Sequence, residues 1–209
     1  MTDRPTGTSA RQRRALLAAA LGPLAWPAAA QPAAADPQAL LKALQAGGGV
    51  VYFRHGATER GGVDRIEWPR SRQRLLSAAG QAQARAVGQA FRRHGLVAGE
   101  VLASPFARCH DFAQIAFGRV VDDRQLLGLL SQDRERQQRV DHSLALLRQA
   151  VPAGQQRILV GHSSNIQETT GVFLPEGGAV LARPEPGADK GFVVLGELKP
   201  DDWAALAQA

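Results

Sequence analysis

Apolar positions along this chain follow two periods. Short continuous runs of β-branched, aromatic and aliphatic residues, bounded by glycines or polar clusters, alternate with stretches where apolar residues recur every three or four positions. The first pattern predicts buried strands and the second amphipathic helices. Strands are predicted at "GVVYF" (49–53), "EVLAS" (100–104) and "RILVGHS" (157–163), with two more near 178–183 and 191–196. Helices are predicted at 37–46, 75–95, 105–118, 132–150 and over the closing "DDWAALAQA". In the second of these the predicted buried stripe is Leu76, Ala79, Ala82, Ala86, Val87, Ala90 and Phe91, with Ser77 as N-cap and Gly95 as the stop. Pro105 falls in the first turn of its helix, and Asp201 or Asp202 caps the last. Strands separated by helices imply an α/β protein, a three-layer sandwich whose mostly parallel central sheet is flanked by helices.

Residues 1–30 follow a different rule. A polar start leads to "RQRR" at 11–14, then the apolar "ALLAAALGPLAW", then Ala28, Ala29 and Ala30. That order is expected of an export signal, and Arg13 and Arg14 resemble a twin-arginine pair. The apolar part is about a dozen residues, broken by Gly22 and Pro23, whereas a membrane span needs ~20. Cleavage after Ala30 is expected, with no stable membrane insertion afterwards and an exported, periplasmic protein. Residues 31–48 are then a Pro and Ala linker with a short helix, and 49–209 form one domain. Residues 1–30 hold four arginines and one aspartate, so the formal charge of +6 falls to about +3 without them. The remaining arginines are spread rather than gathered in a basic stripe, which excludes nucleic acid as the expected partner. Cys109 is the only cysteine, so an intrachain disulfide is impossible.

Candidate chemistry lies where the strands end. "VVYF" runs into Arg54, His55 and Gly56; "VLA" into Ser104 and on to Arg108; "ILV" into Gly161, His162 and Ser163. In a parallel sheet these ends share one edge, where α/β proteins place ligands. Arg54, His55, Arg108 and His162, spread over 108 positions, are therefore expected in one pocket. Arginine suits phosphate because its planar fork makes two parallel charge-assisted hydrogen bonds. Neighbouring arginines disfavour a positive charge on His55, which keeps the imidazole neutral and nucleophilic. His55 is thus the expected nucleophile toward phosphorus, with His162 stabilising charge on the phosphoryl oxygens and the Ser163 amide adding a donor at a helix start.

The segments "RHGAT" (54–58), "LSAAGQAQARAVGQA" (76–90), "SPFAR" (104–108) and "GHSSNI" (161–166) resemble the histidine phosphatase superfamily, the phosphoglycerate mutase-like fold, in order and spacing. The resemblance implies His55 as phosphoacceptor, Arg54 and Arg108 as phosphate ligands, His162 as the second pocket histidine, and neither metal nor other cofactor. The late stretch from Thr170 to Trp203 is similar to exported members related to lipopolysaccharide core heptose phosphate phosphatases. Two departures stand out. Many members carry a glutamate after the "SPxxR" helix that protonates the leaving group; here that region reads "VVDDRQLLGLLSQD", with Gly128 among leucines. Glu59, Asp64, Asp123 and Glu168 are the alternatives, or no acid at all. Mutase members have an asparagine six residues after the nucleophile, where this chain has Gly61.

The expectation is a metal-independent phosphomonoester hydrolase acting on a small-molecule or glycan phosphate. The alternative is a phosphate-binding protein that kept the cage and lost turnover. Trp68 and the arginines of "EWPRSRQR" (67–74) lie in a long connection of the kind that binds substrate. His94, His110 and His142 are expected to be solvated, and Cys109 to be a buried inert thiol.

Overall fold

The computed structural model describes residues 36–129 and 134–209; the signal reading of residues 1–30 and the start of the helix expected at 132 lie outside them. Six strands form one sheet: β1 (Gly49–Arg54), β2 (Val97–Ala103), β3 (Val121–Asp122), β4 (Gln155–Gly161), β5 (Ala179–Pro184) and β6 (Phe192–Leu198). Their order is β3-β2-β4-β1-β5-β6. The β2–β3, β2–β4 and β1–β4 pairings are parallel, while β5 runs antiparallel to both β1 and β6.

Side-chain alternation along each strand divides the core in two. On β1, Val51 and Phe53 enter one cluster while Val50 and Tyr52 enter the other, because successive Cβ atoms point to opposite faces. Helices α1 (Pro37–Ala46), α2 (Ala78–Arg93), α3 (Ala107–Phe117) and α6 (Pro200–Gln208) cover the first face. Helices α4 (Arg136–Arg148) and α5 (Ser163–Thr170) cover the second through Leu146, Leu147 and Ile166. All three layers of the expected sandwich are present. Helix α1 is built into this domain: Leu40, Leu41 and Leu44 are core residues, and the Gln156 amide donates to the Leu44 carbonyl at 2.7 Å.

Several local expectations shift. The buried stripe of α2 is Gly80, Ala84, Val87, Gly88, Ala90 and Phe91, whereas Ala79 and Ala82 face solvent. The cause is close approach: a Cβ on Gly88 would lie 2.4 Å from the Ala116 carbonyl oxygen of α3. Pro105 stands outside α3, because Phe106 is extended and takes the N-cap position. Lys199 rather than an aspartate occupies the N-cap of α6; Pro200 follows it, and Asp202, three residues in, accepts from the Lys199 amide at 2.7 Å. None of the three histidines expected to be solvated is free. His94 donates to the Leu206 carbonyl at 2.8 Å and ties α2 to α6, while His110 and His142 pair with Asp122 and Asp123. Among the described residues no helix is long and apolar enough to cross a membrane.

The α2–α3 contact yields a test of packing against propensity. Alanine is about 1 kcal/mol better than glycine inside an exposed helix, but overpacking a tight contact costs roughly 1–3 kcal/mol. Gly88→Ala is expected to lower the unfolding free energy by about 1–2 kcal/mol in urea titration; an increase would show that the two helices separate freely.

Candidate functional site

The carboxyl end of β1 is fixed from both sides by backbone bonds. Arg54 pairs with Gly161 of β4 in register, and the His55 amide donates to the Gly161 carbonyl at 3.1 Å. On the other side the Arg54 amide donates to Gly178 (2.9 Å), and the Gly177 amide donates to the His55 carbonyl (2.9 Å). Those glycines belong to a tight turn over Pro175, Glu176, Gly177 and Gly178, closed by Gly178 donating to Pro175 at 3.0 Å. Gly177 has φ of +83°, the value that a type II turn requires at its third residue and that favours glycine. Gln83 of α2 completes the clamp, accepting from the Ala57 amide (2.9 Å) and donating to the Glu176 carbonyl (3.3 Å). The approach of α2 is close enough that a Cβ on Gly80 would lie 2.0 Å from the Ala57 carbonyl oxygen.

Side chains from the three strand ends meet here as expected. The His55 and His162 rings are edge to face with centroids 5.6 Å apart. Arg108 lies over the Phe106 ring at 4.3 Å, binds Asp64 at 2.6 Å and donates to His162 Nδ1 at 3.4 Å. With Nδ1 accepting, the neutral His162 ring carries its proton on Nε2, which donates to Ser104 Oγ at 2.9 Å. His55 Nδ1 lies 2.9 Å from the Gly56 carbonyl, an acceptor only, so Nδ1 bears the proton and Nε2 keeps the lone pair. Arg54 donates to the Leu174 carbonyl at 2.8 Å and approaches Glu176 at 3.5 Å. Ser163 opens α5 directly after His162, so its amide lies in the helix's first turn.

Burial and like charge act together on both imidazoles. Desolvation, then the field of Arg108, with smaller contributions from Arg54 and Arg74, lowers the pKa of His55 to about 3 despite the opposing Gly56 hydrogen bond. Desolvation and the same arginines, together with His55, hold His162 well below its ordinary value. Cys109 is fully buried as expected, with Sγ 3.7 Å from His162 Nε2, and burial pushes its thiol up to about 12. Three guanidinium groups thus surround two neutral imidazoles, offset by two carboxylates, Asp64 and Glu176.

Both carboxylates and the third arginine had escaped sequence reasoning in these roles. Arg74 comes from the 67–74 segment, which folds back through a Thr58–Leu76 bridge. It donates to Thr58 Oγ1 (2.6 Å) and the Arg60 carbonyl (2.9 Å), and approaches Glu176 at 3.6 Å. Asp64, a candidate proton donor by sequence, is instead the buried counter-ion of Arg108 and accepts the Arg74 amide at 3.0 Å. Of the other acid candidates, Asp123 pairs with His142, Glu168 pairs with Arg136, and Glu59 is exposed. Gly128, in the segment where a family glutamate was sought, does reach the site: a Cβ there would lie 3.3 Å from the His162 ring. Gly61 is exposed and has open space around it. Glu176 carried only a turn signal in "LPEGG", and nothing in that pattern tied it to the strand ends.

Comparison with known proteins agrees with this fold. The family model described as histidine phosphatase superfamily (branch 1) matches residues 50–126, a stretch that contains Arg54, His55, Arg74 and Arg108. No protein of curated function matches the sequence significantly. The fold is similar to that of the protein histidine phosphatase SixA complexed with tungstate, at a TM-score of 0.55 and 13% identity over 74% of this chain and 98% of that one. It is also similar to a phosphoserine phosphatase from Entamoeba histolytica in complex with 3-phosphoglyceric acid, at a TM-score of 0.54 and 14% identity over 74% and 98%. Residues 50–126 thus match the histidine phosphatase superfamily model, and the fold is similar to that of solved phosphatases.

Proposed function

We propose that this protein hydrolyses phosphomonoesters through a phosphohistidine on His55, without a metal ion. The observation that carries the reading is an imidazole kept neutral by burial and then by the nearby arginines, with Nδ1 against the Gly56 carbonyl so that Nε2 keeps the lone pair. Arg54, Arg74 and Arg108 supply the charge that draws a phosphate dianion and stabilises its oxygens as the P–O bond breaks. In the first step His55 Nε2 attacks phosphorus and the alcohol leaves; in the second, water attacks the phosphohistidine and releases phosphate. The Ser104 hydrogen bond and Arg108 fix the ring of His162 beside the nucleophile. The substrate class is a small-molecule or glycan phosphate. An extracytoplasmic location belongs to the same proposal and rests on the sequence of residues 1–30. A phosphate-binding protein without turnover is the second reading, favoured by Gly128, which brings no acidic side chain to His162.

Wild-type protein is expected to hydrolyse an aryl phosphate with chelator present, and His55→Ala to lose at least 1,000-fold in kcat, on the order of nucleophile loss in other covalent hydrolases. Folded wild-type protein that binds phosphate but turns over no phosphomonoester would establish the binding reading instead. The lowered pKa has a sign that kinetics can read. With the folded value near 3, His55 stays deprotonated at every pH above it, so nucleophile ionisation adds no acid limb between pH 5 and 8. Once substrate ionisation is corrected for, kcat/KM for an aryl phosphate is expected to be flat through about pH 6.5, the ordinary histidine value. A limb centred there and removed with His55 would contradict the assignment.

A further inference from the structure

We propose that Glu176 is the proton donor and acceptor for the leaving group. The assignment rests on the phosphatase reading and adds the residue that reading lacks. Glu176 sits at the corner of the turn whose neighbouring amide bonds the His55 carbonyl, and its own carbonyl is held by Gln83. The position of its side chain is therefore tied to the nucleophile by backbone rather than by a flexible loop. Oε1 lies 3.5 Å from Arg54 and 3.6 Å from Arg74, two of the groups proposed above to bind phosphate oxygens. The side chain is about one quarter exposed, so an incoming ester can reach it.

Among the described residues, three other candidate carboxylates are engaged elsewhere. Asp64 is buried against Arg108, Asp123 and Glu168 are paired with residues outside the cage, and Gly128 has no side chain to offer. Nor does a histidine serve: the Nε2–H of neutral His162 donates a hydrogen bond to Ser104, and His55 is the proposed nucleophile. When a phosphate ester takes over Arg54 and Arg74, the Glu176 carboxyl is left beside the ester oxygens. The step starts from the acid form of Glu176. The His55 Nε2 lone pair forms the P–N bond, the P–O bond breaks toward the leaving oxygen, and that oxygen takes the Glu176 proton to leave as an alcohol. In the return step water gives a proton to the Glu176 carboxylate as its oxygen bonds to phosphorus, and the P–N electron pair returns to His55.

This role makes leaving-group chemistry the readout. An alkoxide needs a proton in order to leave and a nitrophenolate does not. Glu176→Gln keeps size and hydrogen bonding but cannot transfer a proton. It is expected to lose roughly 100-fold or more in kcat on an alkyl phosphate such as glycerol phosphate, and less than about tenfold on nitrophenyl phosphate. In Glu176→Ala, added formate is expected to restore part of the alkyl turnover. Equal losses on both esters would reduce Glu176 to a positioner of the arginines, and an alkyl loss below about tenfold would remove it from proton transfer. Wild-type protein inactive on both esters would overturn the phosphatase reading, and this assignment with it. Thermal unfolding of each variant separates these outcomes from misfolding.

Discussion

A few backbone hydrogen bonds at the end of β1 hold the site together. The His55 amide is bonded to β4 and its carbonyl to the turn before β5, so the imidazole leaves the sheet with its backbone fixed on both sides. The sheet order makes this possible, because β1 lies between a parallel neighbour that leads into His162 and an antiparallel neighbour that begins shortly after Glu176. Two strand ends and one strand start therefore bring two imidazoles and a carboxylate to one place.

Gathering charge there has its own requirement. Three guanidinium groups around a pocket repel one another, and that repulsion needs counter-charge. Asp64 offsets Arg108 in full burial, and Glu176 lies between Arg54 and Arg74 near the mouth. The surviving positive field does two jobs. It suits the pocket to an anion such as the phosphate proposed for it, and, after burial, it helps keep both imidazoles neutral. The arginine field thus contributes both to the proposed attraction for phosphate and, after burial, to the neutrality of His55.

What could be read in the sequence follows from how locally each feature is encoded. Arg54, His55, Arg108 and His162 sit at or one turn beyond apolar runs that declare themselves as strands, so sheet topology alone brings them together. Arg74 and Asp64 arrive through a long connection folded back by a single bridge, and Glu176 through a turn docked on β1. No period or spacing in the chain records either event. The face of α2 was misjudged for a related reason: its contacts are made by Gly80, Ala84 and Gly88, whose value is small size rather than hydrophobicity. The departure at Gly128 was legible, and it pointed toward a missing acid without showing where a substitute lay.

The central claim is that His55 carries the phosphoryl group. Its most direct test is to mix the protein rapidly with an aryl phosphate, quench in alkali and map any covalent phosphate by peptide mass spectrometry. The account requires an acid-labile, base-stable phosphate on His55 that forms within the first turnover and disappears as substrate is exhausted. Sustained hydrolysis with no phosphoprotein, or with the label on His162, would contradict it.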